Sequence, residues 1–575
     1  MKCGLITRKR HVSPQKDADL MLKFTKYAVA ILTAAFLAVF LLLPVGTVIL
    51  GGMSDIELVK EVFANAVYMQ GLFNSFKIAI VTTFLVFLIA LPMALIYDSF
   101  DFPGKGLAHI AAMIPMILPP FVGALGFQQI LGHYGVINTI LVNCGLERIN
   151  FLSGNGRFWS ICLIEALHLY PILYLNLVSS LGNIDPAMRD AARNMGAGFF
   201  RRLFSITLPM IRPGILAGGS LVLIWSFTEL GTPLMFGYNR TTAVQIFNGL
   251  TELKSNPEPF ALVLVMLVIS TLMYLLAKVL LRSESAGSSK GTAGTSADRL
   301  EGAKKYLPTL FFGLITFLAA LPHIALILTS FSLRWHSTIL PENWTLLNYN
   351  NALSHPLVVP GIINSLRYSG LAMIFALVIG TLIAFITKRW KIPGGWILDA
   401  VAMLPVAVPG IVVAFGYLGM AVEFSWAKEF FNPMENPVWL LSVAYAVRRL
   451  PYVLRSVAAG LEQTPLEYEE AARTFGATPF QTVRKIVFPM IGANLLVGAL
   501  FAFSFSMLEV SDSLILAQKS QHFPITRAIF ELSQILGSGS YTACAFGVWT
   551  MLFLCASIAA AGVLLGKKLG SIFRL

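Results

Sequence analysis

Carboxylates are scarce in this 575-residue chain, with 29 Asp and Glu in all, and two of them stand where charge is costly. Glu229 lies in Trp225-Ser-Phe-Thr-Glu-Leu-Gly-Thr-Pro233, and Glu509 in Ser504-Phe-Ser-Met-Leu-Glu-Val-Ser-Asp512. Each is about 15 residues, roughly 22 Å of helix, into a long apolar run. A carboxylate inside a bilayer faces the bundle interior or a wet cavity. The pair therefore reads as two acids beside a solute or cation pathway, or as two structural carboxylates bonded to neighbouring helices. Gly231-Thr232-Pro233 and Ser511-Asp512-Ser513 follow directly and predict a helix break. Broken helices offer free backbone groups to a substrate or ion. Glu229, Glu509 and Asp512 are the candidate pathway residues.

Other chemistry is thinner. Glu165-Ala-Leu-His168 has the i, i+3 spacing of di-iron bundles, but the corresponding positions later in the chain are Tyr445 and Arg448, and no further ligands are evident. A polar contact between helices is the better reading, and no metal site is assigned. His323 reads as packing or a bundle hydrogen bond. Cys3, Cys144, Cys162, Cys544 and Cys555 show neither a C-x-x-C pair nor zinc spacing. No nucleophile and base cluster together, so no catalytic residue is assigned. A phosphate-binding G-x-x-x-x-G-K-[ST] loop is missing from the sequence, and Gly287-Ser-Ser-Lys290 lacks its spacing. ATP hydrolysis, if the protein uses it, belongs to another chain.

The elements that must hold these residues are membrane spans. The composition is 56% hydrophobic and 12% charged, against about 25% charged in soluble domains. Twelve apolar runs have the length of a bilayer crossing: 26–51, 72–98, 107–131, 158–180, 214–236, 260–281, 306–331, 362–387, 396–422, 438–456, 492–516 and 543–566. Backbone groups in lipid must be satisfied within the segment, so the fold class is an all-α polytopic membrane protein. The basic N-terminus (Arg8, Lys9, Arg10, Lys16, Lys23, Lys26) and an uncleaved first span predict cytoplasmic N- and C-termini. With that orientation only 11 of the 42 Lys and Arg fall on outer segments and outer span ends. Basic residues facing anionic lipid account for the net charge of +13 without nucleic acid. Pro115, Pro119, Pro405 and Pro409 sit inside spans and read either as kinks in helices that line the pathway or as packing residues.

The chain is a duplication. Residues 282–305, rich in Ser, Gly and Ala, read as a flexible cytoplasmic linker between six-span halves 1–281 and 306–575. Asn74-Ser75 matches Asn364-Ser365, Pro103-Gly104 matches Pro393-Gly394, and Gly126-Phe127 matches Gly416-Tyr417. Pro171 then matches Pro451, and Glu229 matches Glu509. An even number of spans per half makes the repeats parallel, related by a pseudo-two-fold axis along the membrane normal.

Two polar loops, 181–213 and 461–491, repeat most closely. Asp190-Ala191-Ala192-Arg193-Asn194-Met195-Gly196 corresponds to Glu470-Ala471-Ala472-Arg473-Thr474-Phe475-Gly476, and Leu208-Pro209-Met-Ile to Phe488-Pro489-Met-Ile. Asp185-Pro186 and Thr464-Pro465 predict helix starts. The glycines predict helix ends. A second short helix follows with Phe200 or Phe480, and Pro209 and Pro489 are expected to mark the turn back into the membrane. The product is a helix-Gly-helix elbow on the cytoplasmic side of each half.

The pattern Glu-Ala-Ala-x3-Gly-x9-Ile-x-Leu-Pro resembles the signature of permease subunits of bacterial binding-protein-dependent ABC importers. Here it reads Asp190-Ala-Ala-x3-Gly196-x9-Ile206-Thr-Leu-Pro209 and Glu470-Ala-Ala-x3-Gly476-x9-Ile486-Val-Phe-Pro489, with Asp for Glu in one copy and Phe for Leu in the other. The resemblance covers nearly the whole chain, as two fused permease domains of the type I importer kind. It implies that Asp190, Ala191, Ala192, Gly196 and Phe200, with Glu470, Ala471, Ala472, Gly476 and Phe480, form coupling helices that seat in two ATPase subunits. It implies that ATP and magnesium are bound by those partners, that an extracytoplasmic binding protein delivers the substrate, and that the chain resides in the bacterial inner membrane. Fused permeases of this shape resemble the ferric-iron group, whose relatives also serve 2-aminoethylphosphonate and thiamine. An ion-coupled secondary transporter is the competing reading, with Glu229 and Glu509 as cation sites; it leaves the duplicated elbow unexplained.

Overall fold

The computed structural model describes residues 14–54, 56–117, 120–250, 258–284, 298–433 and 435–565. Pro119, Cys3, most of the basic N-terminal segment and most of the linker lie outside the described residues. The described chain is almost wholly helical.

Among the described residues, nine helices are long and apolar enough to cross a bilayer, and two bent helix pairs are so when each pair is taken together. The pairs are Lys105–Met116 with Phe121–Asn143, bent by 94°, and Gly395–Ala407 with Gly410–Glu423, bent by 107°. Pro409 stands immediately before Gly410 and holds an extended backbone there. The remaining expected span, 438–456, is the helix Val438–Gln463. Its length suits a crossing, but Arg448, Arg449 and Arg455 break its apolar character.

Each half is built on three mutually packed helices: Ala66–Ser99, Asn155–Leu181 and Arg212–Phe227 in the first, and Val358–Ala384, Val438–Gln463 and Phe488–Met507 in the second. The first span of each half also packs on the other half. Leu43–Met53 packs on Gly410–Glu423, and Tyr306–Ser330 packs on Pro120–Leu131. The repeated glycines make this contact possible. A Cβ at Gly126 would lie 2.0 Å from the carbonyl oxygen of Pro322, and one at Gly416 would lie 2.1 Å from that of Pro44. Close backbone approach at small residues is the usual means of packing helices in lipid, where no hydrophobic drive exists between them. Thr47 Oγ1 adds a hydrogen bond to the Gly416 carbonyl at 3.0 Å, and the Tyr417 hydroxyl donates to the Phe40 carbonyl.

The repeated Asn-Ser pairs also have a structural cause. Ser75 Oγ accepts from the Thr242 amide (3.0 Å), and Ser365 Oγ accepts from the Ile525 amide (2.8 Å). Asn74 Nδ2 donates to the Arg240 carbonyl (3.0 Å), and Asn364 Nδ2 to the Phe523 carbonyl (3.2 Å). Each pair thereby fixes the start of a short helix, Thr242–Gly249 or Ile525–Gln534. A helix's first amides have no intrahelical partner, and these side chains supply one.

Past the segment outside the described residues, Asp298–Arg299 forms a two-residue parallel strand pair with Phe100–Asp101. Thr309 Oγ1 donates to the Pro103 carbonyl at 2.8 Å. The start of the second half is thus held against the first.

Candidate functional site

The two elbows have one local design. Helix Pro186–Asn194 ends at Gly196, with φ +78°, and helix Glu467–Thr474 ends at Gly476, with φ +83°. The Gly196 amide bonds to the Arg193 carbonyl (3.0 Å) and the Ala197 amide to the Ala192 carbonyl (3.0 Å). Gly476 with Arg473 (2.9 Å) and Ala477 with Ala472 (3.0 Å) repeat this. This is a Schellman closure, which needs a left-handed residue four positions after the residue whose carbonyl it caps. The Ala-x3-Gly spacing is therefore a backbone requirement. A short second helix follows, Phe199–Arg202 or Pro479–Thr482. Thr478 and Gln481 bond each other's backbone amides and cap the second one.

Asp190, Ala191, Glu470 and Ala471 are exposed, Ala192 is buried and Ala472 half-buried. Phe200 and Phe480 are each 72% exposed, with Met195 at 81% and Phe475 at 92%. Apolar side chains this open stand at equivalent places in both repeats.

Two details differ from the sequence expectation. Asp185 does cap its helix, accepting from the Ala187 amide at 2.9 Å. Thr464 does not: its hydroxyl bonds back to the Gly460 carbonyl, and the helix starts only at Glu467. Pro489 does not mark the turn: it follows a π-helical turn, Val483–Val487, and helix runs on from Pro479 to Met507 without a break. Pro209 likewise follows a π turn, Leu203–Thr207, but there the helix is interrupted at Ile211 before Arg212–Phe227 begins. A wider π turn leaves a carbonyl free where proline supplies no N–H, so the proline is absorbed and the chain direction reverses earlier.

The second elbow is tied to a membrane span by an ion pair that the sequence reading missed. Arg389 ends a π turn, Phe385–Arg389, that continues helix Val358–Ala384. Its Nε lies 3.0 Å from Glu469 Oε1, both side chains being under 10% exposed. Arg389 Nη2 also donates to the Thr464 carbonyl at 2.7 Å, and Lys388 pairs with Glu462 at 2.6 Å. The positional signal was present: two cations at a span end and acids at a loop.

The pathway candidates lie at the predicted helix breaks. Helix Arg212–Phe227 stops and Gly231–Met235 restarts; Phe488–Met507 stops and Ser511–Leu516 restarts. The breaks meet across the halves, since a Cβ at Gly231 would lie 3.3 Å from Val510 Cγ1. Glu229 interacts electrostatically with Glu509 and Arg448. The two acids are held differently. Glu229 Oε1 accepts from the amides of Gly231 (3.1 Å) and Thr232 (3.3 Å), capping the restarted helix. Glu509 is clamped by Arg448 Nη1 and Arg449 Nη2, one guanidinium on each carboxylate oxygen. Asp512 is fully buried with Oδ2 3.6 Å from Arg448 Nη1. Arg449 Nη2 further donates to the Phe505 carbonyl at 2.9 Å. Intramembrane cations find partners by necessity, and Arg448-Arg449 inside an expected span was the signal that could have found this clamp.

Glu165 and His168 make helix contacts. Ser226 Oγ and Thr82 Oγ1 donate to Glu165 Oε2, and His168 Nδ1 lies 2.8 Å from the Pro115 carbonyl. Among the described residues no group of three or more His, Cys, Asp or Glu is placed to hold a metal ion. His323 is buried.

Comparison with known proteins joins these features. Residues 68–285 and 376–568 each match the family described as binding-protein-dependent transport system inner membrane component. The ferric transport system permease protein of Actinobacillus pleuropneumoniae is 26% identical over 460 residues, covering 79% of this chain and 64% of that protein. A putative ferric transport system permease protein of Haemophilus influenzae is 26% identical over 460 residues, covering 79% and 70%. A probable ABC transporter permease protein of Sinorhizobium fredii is 25% identical over 479 residues, covering 80% and 81%. Each matched segment contains one elbow and one helix break, and the two together make up most of the chain; the protein belongs to the binding-protein-dependent transport system inner membrane components and carries that domain twice.

Proposed function

We propose that this protein is the membrane subunit of an ATP-driven bacterial importer of ferric iron. Two ATPase subunits engage it, one at each elbow, and an extracytoplasmic binding protein delivers the cation to the opposite face. It is a multi-pass inner-membrane protein with both termini in the cytoplasm. Repeat 1 spans 1–281 and repeat 2 spans 306–575. ATP and magnesium are bound and used by the partners, and this chain converts their movement into opening of a path between its halves.

The observation that carries the reading is the pair of elbows. They share one Schellman closure and expose one large apolar side chain at the same place, Phe200 and Phe480. Asp190 through Gly196 and Glu470 through Gly476 shape the coupling surface. The substrate is inferred from the likeness to the two ferric transport permeases. Glu229, Glu509 and Asp512 line the path, and Glu229 is the acid with a carboxylate held by backbone amides rather than by arginine, which suits a passing cation.

The test is reconstitution. The protein is co-purified with the ATPase and binding protein encoded beside it and placed in vesicles containing ATP. Uptake of radioactive ferric iron that needs ATP inside and binding protein outside is the expected result. Uptake that follows an ion gradient and ignores ATP overturns the importer; ATP-dependent uptake of another solute in place of iron overturns the substrate alone.

A further inference from the structure

The short helices held by Ser75 and Ser365 meet at one point, and the point is informative. The Thr242 amide bonds Ser75 and the Ile525 amide bonds Ser365, so position 242 in one repeat is position 525 in the other. Asn364 bonds the carbonyls of both Gln521 and Phe523, and the second stands to Arg240, bonded by Asn74, at the same shift of 283 residues, as does the match of Ile246-Phe247 with Ile529-Phe530. By this shift Phe247 and Phe530 are equivalent. Their rings touch edge to face, with centroids 6.4 Å apart at 86°. In two bodies related by a two-fold axis, a group and its mate are separated by twice their distance from the axis. Each ring therefore lies roughly 3 Å from the pseudo-two-fold axis. At that level the axis is filled by two half-buried phenyl rings.

The contact is braced from one side. Arg527 sits over three rings: Phe247 of the first half at 6.0 Å, and Phe523 and Phe530 at 5.2 and 5.6 Å. Glu531 fixes the guanidinium at 2.7 Å, and Nη1 donates to the Leu514 carbonyl at 3.2 Å. The equivalent position in the first half is Val244, so the brace is single. Ser533 Oγ and Met235 Sδ, 3.9 Å apart, add a second contact between the halves. The level is far from the elbows. Ser365 and Arg389 lie on one continuous helix, 24 residues or about 36 Å apart, and Arg389 touches the elbow.

We infer that Phe247 and Phe530 form the gate that closes the path on the side opposite the ATPases, and that Arg527 holds the gate shut through its cation–π contacts. This rests on the importer reading. A solute moving between the halves must pass the axis here, and the two rings must part for it. A cation–π contact sheltered from water is stronger than an exposed one. Such a gate can be opened by ATP binding and closes again without a covalent step.

The experiment uses the complex in vesicles, with Phe247→Cys and Phe530→Cys combined. A bifunctional thiol reagent with a reducible spacer of a few ångströms should join the two cysteines, lower ATP-driven ferric-iron uptake at least ten-fold and leave the ATPases bound, and reductant should restore uptake. The unmodified protein, which carries its own cysteines, is treated identically. A cross-link that does not form, or full uptake through the cross-linked protein, overturns the gate. A second variant, Phe247→Ala with Phe530→Ala, should raise ATP hydrolysis in the absence of binding protein several-fold; unchanged dependence on binding protein also counts against the proposal. If the unmodified protein shows no ATP-driven uptake, the importer reading fails, and cross-link yield alone then decides whether the rings meet on the axis.

Discussion

Glu229 and Glu509 occupy the same place in the two repeats, and the first binds backbone amides while the second binds two arginines. One duplicated carboxylate has thus become a helix cap in one half and the centre of an ion cluster in the other. The two need not share a role, and their substitution should separate them.

Glu509→Gln leaves Arg449 buried against a neutral partner and Arg448 with only the Asp512 carboxylate at 3.6 Å. Removing one member of a buried pair costs about 3–5 kcal/mol. The expected result is a marked fall in the thermal unfolding temperature in detergent and in the yield of monodisperse protein. Glu229→Gln keeps an oxygen that can accept from Gly231 and Thr232, so its unfolding temperature should stay close to that of the unmodified protein while uptake falls. Equal unfolding temperatures for the two variants would contradict the asymmetry.

The packing of first spans on the opposite halves makes a second prediction. Ala at Gly416 would place a methyl 2.1 Å from a backbone carbonyl, an atom that cannot swing aside. Overpacking of this kind costs about 1–3 kcal/mol. Gly416→Ala and Gly126→Ala should each lower the unfolding temperature. Gly370→Ala is the control, because nothing lies within 4 Å of a Cβ there; helix propensity makes it neutral or slightly stabilising.

Much of this arrangement was legible in the sequence, and the reason is locality. The elbow follows from Ala-x3-Gly, because the Schellman bonds of Ala192 with Ala197 and Ala472 with Ala477 span only five residues. The helix breaks after Glu229 and Glu509 follow from Gly, Thr, Ser and Asp placed together. What was not legible depends on register between distant helices. Arg449 meets Glu509 only because helices Val438–Gln463 and Phe488–Met507 pack at one particular rotation. The repeated Gly126 and Gly416 were visible as a match, but their purpose needed the partner helix from the other half. The π turns before Pro209 and Pro489 were hidden because the local pattern there reads as ordinary helix followed by a breaker.

A third prediction concerns the elbow surface. Phe480 is 72% exposed and makes the second helix of its elbow apolar at its tip. Phe480→Asp should leave folding intact, since an exposed site away from the core changes stability by within about 0.5 kcal/mol. It should reduce recovery of the ATPase in co-purification. Recovery equal to that of the unmodified protein would remove Phe480 from the contact. The same substitution at Phe200 tests whether the two elbows contribute equally.

The last prediction separates holding the ATPase from being driven by it. Arg389 and Glu469 join the elbow to the end of helix Val358–Ala384, and both side chains are nearly buried. Arg389→Glu places two carboxylates face to face, so the elbow loses its grip on that span while Phe480 stays exposed for docking. The ATPase should co-purify as before, and ATP hydrolysis should continue, but ferric-iron uptake per ATP should fall several-fold. Arg389→Glu combined with Glu469→Arg restores opposite charges across the same gap. It should recover most of the ratio, because the attraction depends on opposite sign and proximity more than on which helix carries the cation. Recovery would be incomplete, since a guanidinium at 469 cannot also reach the Thr464 carbonyl in the way Arg389 Nη2 does at 2.7 Å. If the single variant keeps the normal ratio of uptake to hydrolysis, the ion pair is a packing feature and force reaches the spans by the continuous helix from Pro479 to Met507 instead. If the single variant is impaired and the double variant no better, the effect belongs to Arg389 and the Thr464 carbonyl, and the carboxylate of Glu469 is incidental.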